Sequence, residues 1–90
     1  MKTSGLSLGF LMDHADSIAV GSGLSIGMSF EAGRLIGQGM SPEKASIIAY
    51  VSAITEMRHS DYDNLDFNEA FVLEMLSNTR QFVIEESALC

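Results

Sequence analysis

The sequence predicts an α+β fold: a short β-hairpin leading into two packed antiparallel helices, then a third helix and a possible final strand. Residues 5–12 ("GLSLGFLM") alternate loosely between apolar and small side chains, and "SIAV" (17–20) is a second short apolar run. Both have the pattern of strands with one buried face. From Leu24 onward the apolar spacing changes to three and four, which is the period of a helix.

Taken in order, "DHAD" (13–16) supplies the turn between the two strands, and Gly9 weakens the first strand or marks a bulge. Ser22 is placed as the N-cap of the first helix and Gly39 as its stop, with Leu24, Met28, Glu31/Ala32, Leu35 and Ile36 as its stripe. Gly27, Gly33 and Gly37 inside that helix each cost about 0.5–1 kcal/mol relative to alanine. Close packing against a neighbouring backbone is the expected compensation, and Gly33 and Gly37 share a face as a G-x-x-x-G pair. The second helix, "SPEKASIIAYVSAITEM" (41–57), opens with Ser41 as N-cap, Pro42 at the first helical position, and Glu43 and Lys44 in the first turn. Ala45, Ile48, Ala49, Ser52 and Ala53 line one stripe with Ile47, Val51 and Ile54 beside it, so a broad buried face is expected. A polar connection (58–66) leads to a third helix, "FNEAFVLEMLSN", capped by Asp66, with Phe67, Ala70, Phe71, Glu74/Met75 and Asn78 in register. The β-branched centre of "RQFVIEE" (80–86) predicts a return to a strand.

With 47% hydrophobic and 19% charged residues, the 90-residue chain reads as a single small globular domain, with a helical pair over 18–57 and an acidic segment over 58–90. A domain of this size buries about 60–65% of its unfolded surface, so a modest core and stabilisation by a protein partner or by self-association are expected. No apolar run approaches the roughly 20 residues of a membrane span. After Lys2 the chain is broken by Ser and Gly and reaches Asp13 too early for a signal peptide. A cytoplasmic protein without membrane contact is therefore expected. Cys90 is the only cysteine, which allows neither an internal disulfide nor a metal site of the usual spacing. The net charge of −7 is concentrated in residues 56–90, where eight acids face Arg58 and Arg80. That excess disfavours phosphate backbones, so no nucleic-acid partner is expected.

"IAVGSG" (18–23), "GMSFEAGRLIGQG" (27–39) and "MSPEKASIIAYVSAI" (40–54) follow one another in the order strand, G-S-G, small-residue helix, turn, Ala-rich helix. Over roughly half the chain this order resembles the proteasome β-subunit and HslV peptidase family. The resemblance implies a truncated Ntn-hydrolase-like fold in which Ser22 takes the position beside the catalytic threonine. Asp61, followed by Tyr62, approximates the family's Asp-x-aromatic segment, with "DYDN" in place of the usual Ser/Thr-Gly continuation. Independently, Gly21 and Gly23 permit a sharp strand-to-helix reversal, and the free N–H groups of a first helical turn favour negative charge or a developing oxyanion. Family catalysis uses a threonine exposed as a new N-terminus with a lysine nearby. Thr3 instead follows Met1 and Lys2 and stands nineteen residues before Ser22, where the family places a half-domain of strands, and Lys44 has no matching role. The nucleophile half is missing, and no catalysis is expected.

Other chemistries match less. The segment lacks the lysine of a Walker A loop, and Ile26 stands where the dinucleotide fingerprint needs glycine. His14 and His59 with Asp13, Asp16 and Asp61 fit no zinc spacing and read as solvated turn residues. Met12, Met28, Met40, Met57 and Met75 read as core filler. No cofactor or metal is expected. The function expected is a non-catalytic protein–protein interaction module that binds another protein or a copy of itself. Its binding residues would be Gly21, Ser22, Gly23, Gly33, Gly37, Asp61, Glu69 and Glu74, at the helix N-terminus and a partner face. One alternative is a small acidic phage or mobile-element inhibitor that occupies a basic site on a host enzyme through Glu69, Glu74, Glu85 and Glu86. A second is a subunit or remnant of a threonine peptidase using Thr3 or Ser22.

Overall fold

The run from Ala15 to Gly37 is one uninterrupted helix, where the sequence suggests a strand followed by a helix. The structure, a computed structural model, describes residues 8–59 and 67–88. These form α1 (Leu8–Asp13), α2 (Ala15–Gly37), α3 (Pro42–His59) and α4 (Glu69–Ala88), with no strand among the described residues. The expected hairpin and final strand are therefore corrected to helix. The α+β, Ntn-hydrolase-like architecture is corrected with them, because it requires a sheet.

The physical reason lies in which α2 residues are buried: Ser17, Val20, Gly21, Leu24, Met28 and Ala32. Steps of three and four run from residue 17 onward, so the "SIAV" segment shares the period of the helix that follows. "DHAD" does not reverse the chain. His14 (φ −118°, ψ 21°) bends it, while His14 N donates to Phe10 O at 3.1 Å and Ile18 N to His14 O at 2.8 Å. The His14 ring stacks between Phe10 (centroids 4.4 Å) and Phe71 of α4 (5.2 Å), which ties α1 to the start of α4.

The α2–α3 connection follows the sequence expectation closely. Gly39 has φ +101°, Gly39 N donates to Ile36 O (2.9 Å) and Met40 N to Leu35 O (3.1 Å). This is the paired hydrogen-bond pattern of a Schellman stop, which needs a residue tolerant of positive φ. Ser41 Oγ then accepts from Lys44 N at 3.3 Å and Pro42 opens α3. A Cβ at Gly39 meets nothing within 4 Å, so Gly39→Ala carries backbone strain alone. It is expected to cost about 1–2 kcal/mol, read as a lower urea midpoint at unchanged slope.

By count from this turn, the antiparallel course sets Ala32 level with Ala45, Met28 with Ala49, Leu24 with Ala53 and Val20 with Met57. All eight are buried. Each helix thus contributes an i, i+4 ridge, larger on α2 and smaller on α3, which lets the two backbones approach. The buried face of α3 is narrower than expected: Ile47, Ile48, Val51 and Ser52 are exposed.

α4 runs parallel to α2, with Ser17 Oγ accepting from Asn68 N (2.8 Å) and Thr79 Oγ1 lying 2.9 Å from Ser25 Oγ. Its cap is Asn68, whose Oδ1 accepts from Phe71 N at 3.2 Å; the expected cap, Asp66, lies outside the described residues. Val72, Leu76 and the half-buried Val83 face the core, so the helical period carries through "RQFVIEE" and overrides its β-branched centre. α2, α3 and α4 each pack against the other two around one shared core, with principal extents of 42 × 37 × 16 Å. Around so small a core, large side chains are left outside, among them Ile26, Phe30 and Phe82.

Candidate functional site

The predicted binding residues do not come together as one site. Ser22 is the eighth residue of α2, half-buried and well inside the helix, so its neighbours offer no free N–H groups. The expected anion-favouring helix N-terminus at residues 21–23 is therefore corrected. Gly21 is buried where α4 crosses, and a Cβ there would fall inside the Met75 thioether. It is the one α2 glycine explained by internal packing. Gly23, Gly33 and Gly37 are exposed, and a Cβ at any of them, or at Gly27, meets nothing within 4 Å. Among the described residues, no close intrachain approach offsets Gly27, Gly33 and Gly37 as expected, although each glycine costs about 0.5–1 kcal/mol relative to alanine in a helix interior.

The acidic residues lie elsewhere. Glu69 opens α4 and sits 3.7 Å from Arg58 at the end of α3, both largely exposed. An exposed pair of this kind contributes at most about 1 kcal/mol. Glu74 is exposed further along α4 beside a shallow depression formed with Phe71, Met75 and Asn78. By helical count Glu74 and Glu85 share the outer face of α4 three turns apart, whereas Glu86 turns about a quarter of the circumference away. Asp61 and Thr3 lie outside the described residues. No group of three or more His, Cys, Asp or Glu able to hold a metal occurs among the described residues.

A concave feature lies between α2 and α4. A groove of about 690 Å³ is lined by Ser25, Ile26, Ser29 and Phe30 on α2 and by Asn78, Thr79 and Phe82 on α4. No charged side chain lines it. The Thr79–Ser25 hydroxyl contact forms part of its floor, and Thr79 Oγ1 also donates to Met75 O at 2.9 Å. Its rim is apolar and open to solvent: Phe30 is 76% exposed, and Ile26 and Phe82 are each 59% exposed. A second groove, about 420 Å³, runs along the other side of α2, where Gly23 and Gly27 leave space beside Ala49 and Ala53. The outer ridge of α2 is thus apolar or glycine at residues 23, 26, 27, 30, 33 and 37 and is undercut on both sides.

Sequence reasoning missed Ile26, Phe30 and Phe82. The signal was available once residues 15–37 are placed on one helix: Ile26 and Phe30, four apart, fall opposite the Leu24–Met28–Ala32 stripe. Large apolar side chains there have no internal partner. No protein-family model matches the chain, and neither a curated protein nor a solved structure matches it. Nothing in these comparisons links it to the proteasome β-subunit and HslV peptidases. No helix among the described residues is long and apolar enough to cross a membrane.

Proposed function

We propose that this chain is a non-catalytic protein–protein interaction module that docks through the joint face of α2 and α4. One observation carries the reading: Ile26, Phe30 and Phe82 stand together around an uncharged groove while the core seam is filled by smaller residues. Large exposed apolar side chains grouped on one face, rather than scattered, mark an interaction surface. Aromatic anchors set in a groove are the side chains that carry most binding energy at interfaces. The remainder of the helical bundle supplies rigidity. Ser17, Ser25 and Thr79 fix α4 against α2 by hydroxyl contacts, so the groove is preformed and binding orders few side chains.

A photo-crosslinking amino acid at Phe82, introduced in the protein's native cells, is expected to give a discrete covalent protein adduct. The same group at Thr55, exposed on α3 away from the α2/α4 face, serves as the control and is expected to give none. Equal labelling from both positions, or no adduct from Phe82, overturns the reading.

A further inference from the structure

We infer that the occupant of the α2 ridge is a second copy of this chain, with the two α2 helices antiparallel and the two-fold axis passing beside Phe30. The inference rests on the reading that the α2/α4 face is a docking surface, and it names the partner. The observation is the placement of groups along the ridge. Gly23 and Gly37 lie seven residues either side of Phe30, and Gly27 and Gly33 lie three residues either side. Seven residues are close to two helical turns, so Gly23, Phe30 and Gly37 fall on one stripe, with Gly27 and Gly33 flanking it. A self-complementary two-fold interface sets each residue against its symmetry equivalent or against a residue equally distant from the axis. In the antiparallel pairing, Gly23 of one copy stands level with Gly37 of the other, Gly27 with Gly33, and the two Phe30 side chains meet at the axis. A parallel pairing also sets glycine against glycine and Phe30 against Phe30, but it places Arg34 level with Arg34 of the other copy, whereas the antiparallel pairing sets Arg34 level with Ile26.

Packing and area agree with this arrangement. Each of these four glycines has open space beyond it, so a second backbone can come close without displacing side chains. The exposed parts of Phe30, Phe82 and Ile26 present roughly 350 Å² per copy at about 200 Å² for a whole aromatic side chain. That approaches half of the roughly 800 Å² that each partner buries in a standard interface. The 23-residue α2, about 34 Å long, supplies the rest of the contact. Arg34, four residues after Phe30 and so on the ridge itself, lies 3.9 Å from Glu31 of its own chain, and its exposed side chain can extend from the seam to solvent.

The test combines native mass with cross-linking of the full chain. Light scattering of the unmutated protein is expected to rise with concentration toward twice 9.7 kDa. In a Cys90→Ser background, Phe30→Cys treated with a short bismaleimide is expected to cross-link to itself at least ten times faster than Ala19→Cys. Gly23→Cys mixed with Gly37→Cys is expected to give the mixed dimer in excess over either self-pair. A chain that stays monomeric into the high micromolar range overturns self-docking, while an adduct of another mass at Phe82 would still uphold the docking surface. A dimer in which Gly23→Cys pairs mainly with itself, or in which Phe30→Cys is no faster than Ala19→Cys, overturns the antiparallel seam.

Discussion

Replacing Leu76 with alanine is expected to cost about 4 kcal/mol, a large part of the roughly 5–13 kcal/mol that holds a domain of 90 residues together. Leu76 is fully buried and faces the seam where α4 meets α2 and α3. Leucine-to-alanine changes in cores span about 2–5 kcal/mol, depending on how far the surroundings collapse into the space. Here collapse is restricted. Ala32, Ala45, Ala49 and Ala53 are themselves fully buried or nearly so, and they already hold α2 and α3 at close approach. The long side chains of α3 nearest the core, Tyr50, Ile54 and Met57, already pack against it, so filling the vacated volume would pull them out of existing contacts. The cost therefore falls in the upper part of the range. Urea unfolding followed by far-UV circular dichroism measures it, with Ile47→Ala on the exposed side of α3 as the comparison, expected to change stability by less than about 1 kcal/mol. Equal losses for the two substitutions would show that the α2–α3–α4 seam is not the core.

The parts of this fold that were legible in the sequence are those decided by neighbouring residues. Gly39, Ser41 and Pro42 fix the end of α2 and the start of α3 within one tight turn, and each plays its expected role. The first half of α2 was not legible. Gly21 and Gly23 resemble helix breakers, and Ile18 and Val20 alternate like a strand. What decides for helix is contact with α4, more than fifty residues away: Asn68 N on Ser17 Oγ, and Met75 over Gly21. The same holds for "RQFVIEE", whose helical state depends on Val83 reaching the seam. The candidate site shares this dependence. Ser22 and the α2 glycines point to a site only on the premise of a strand-to-helix turn, and continuous helix moves them onto an outer ridge or into the α4 contact. Phe30 becomes recognisable as unpartnered only when the buried stripe is already known.

Changing Gly23, Gly27, Gly33 and Gly37 together to alanine is expected to move folding and association in opposite directions. For the isolated chain the effect is stabilising. No Cβ at these positions meets another atom within 4 Å, and none of the four has a positive φ. Alanine then removes the entropic penalty of glycine in a helix, about 0.5–1 kcal/mol at each interior position, with a smaller gain at Gly37, the last residue of α2. The sum is about 2–3 kcal/mol, or a rise in Tm of roughly 10–20 °C at 4–8 °C per kcal/mol for a domain of this size. For the antiparallel pair, four methyl groups per copy are added where two backbones approach, and dimerisation is expected to weaken at least a hundredfold. Thermal unfolding at concentrations too low for association measures the first effect, and light scattering at high concentration the second. A variant that is less stable in dilute solution would show that the glycines serve the fold of the single chain. A variant that is more stable and still dimerises with unchanged affinity would move the self-docking seam off α2. Internal packing accounts for Gly21 but not for these four, and the two measurements separate what the chain needs to fold from what the ridge needs to receive a second copy.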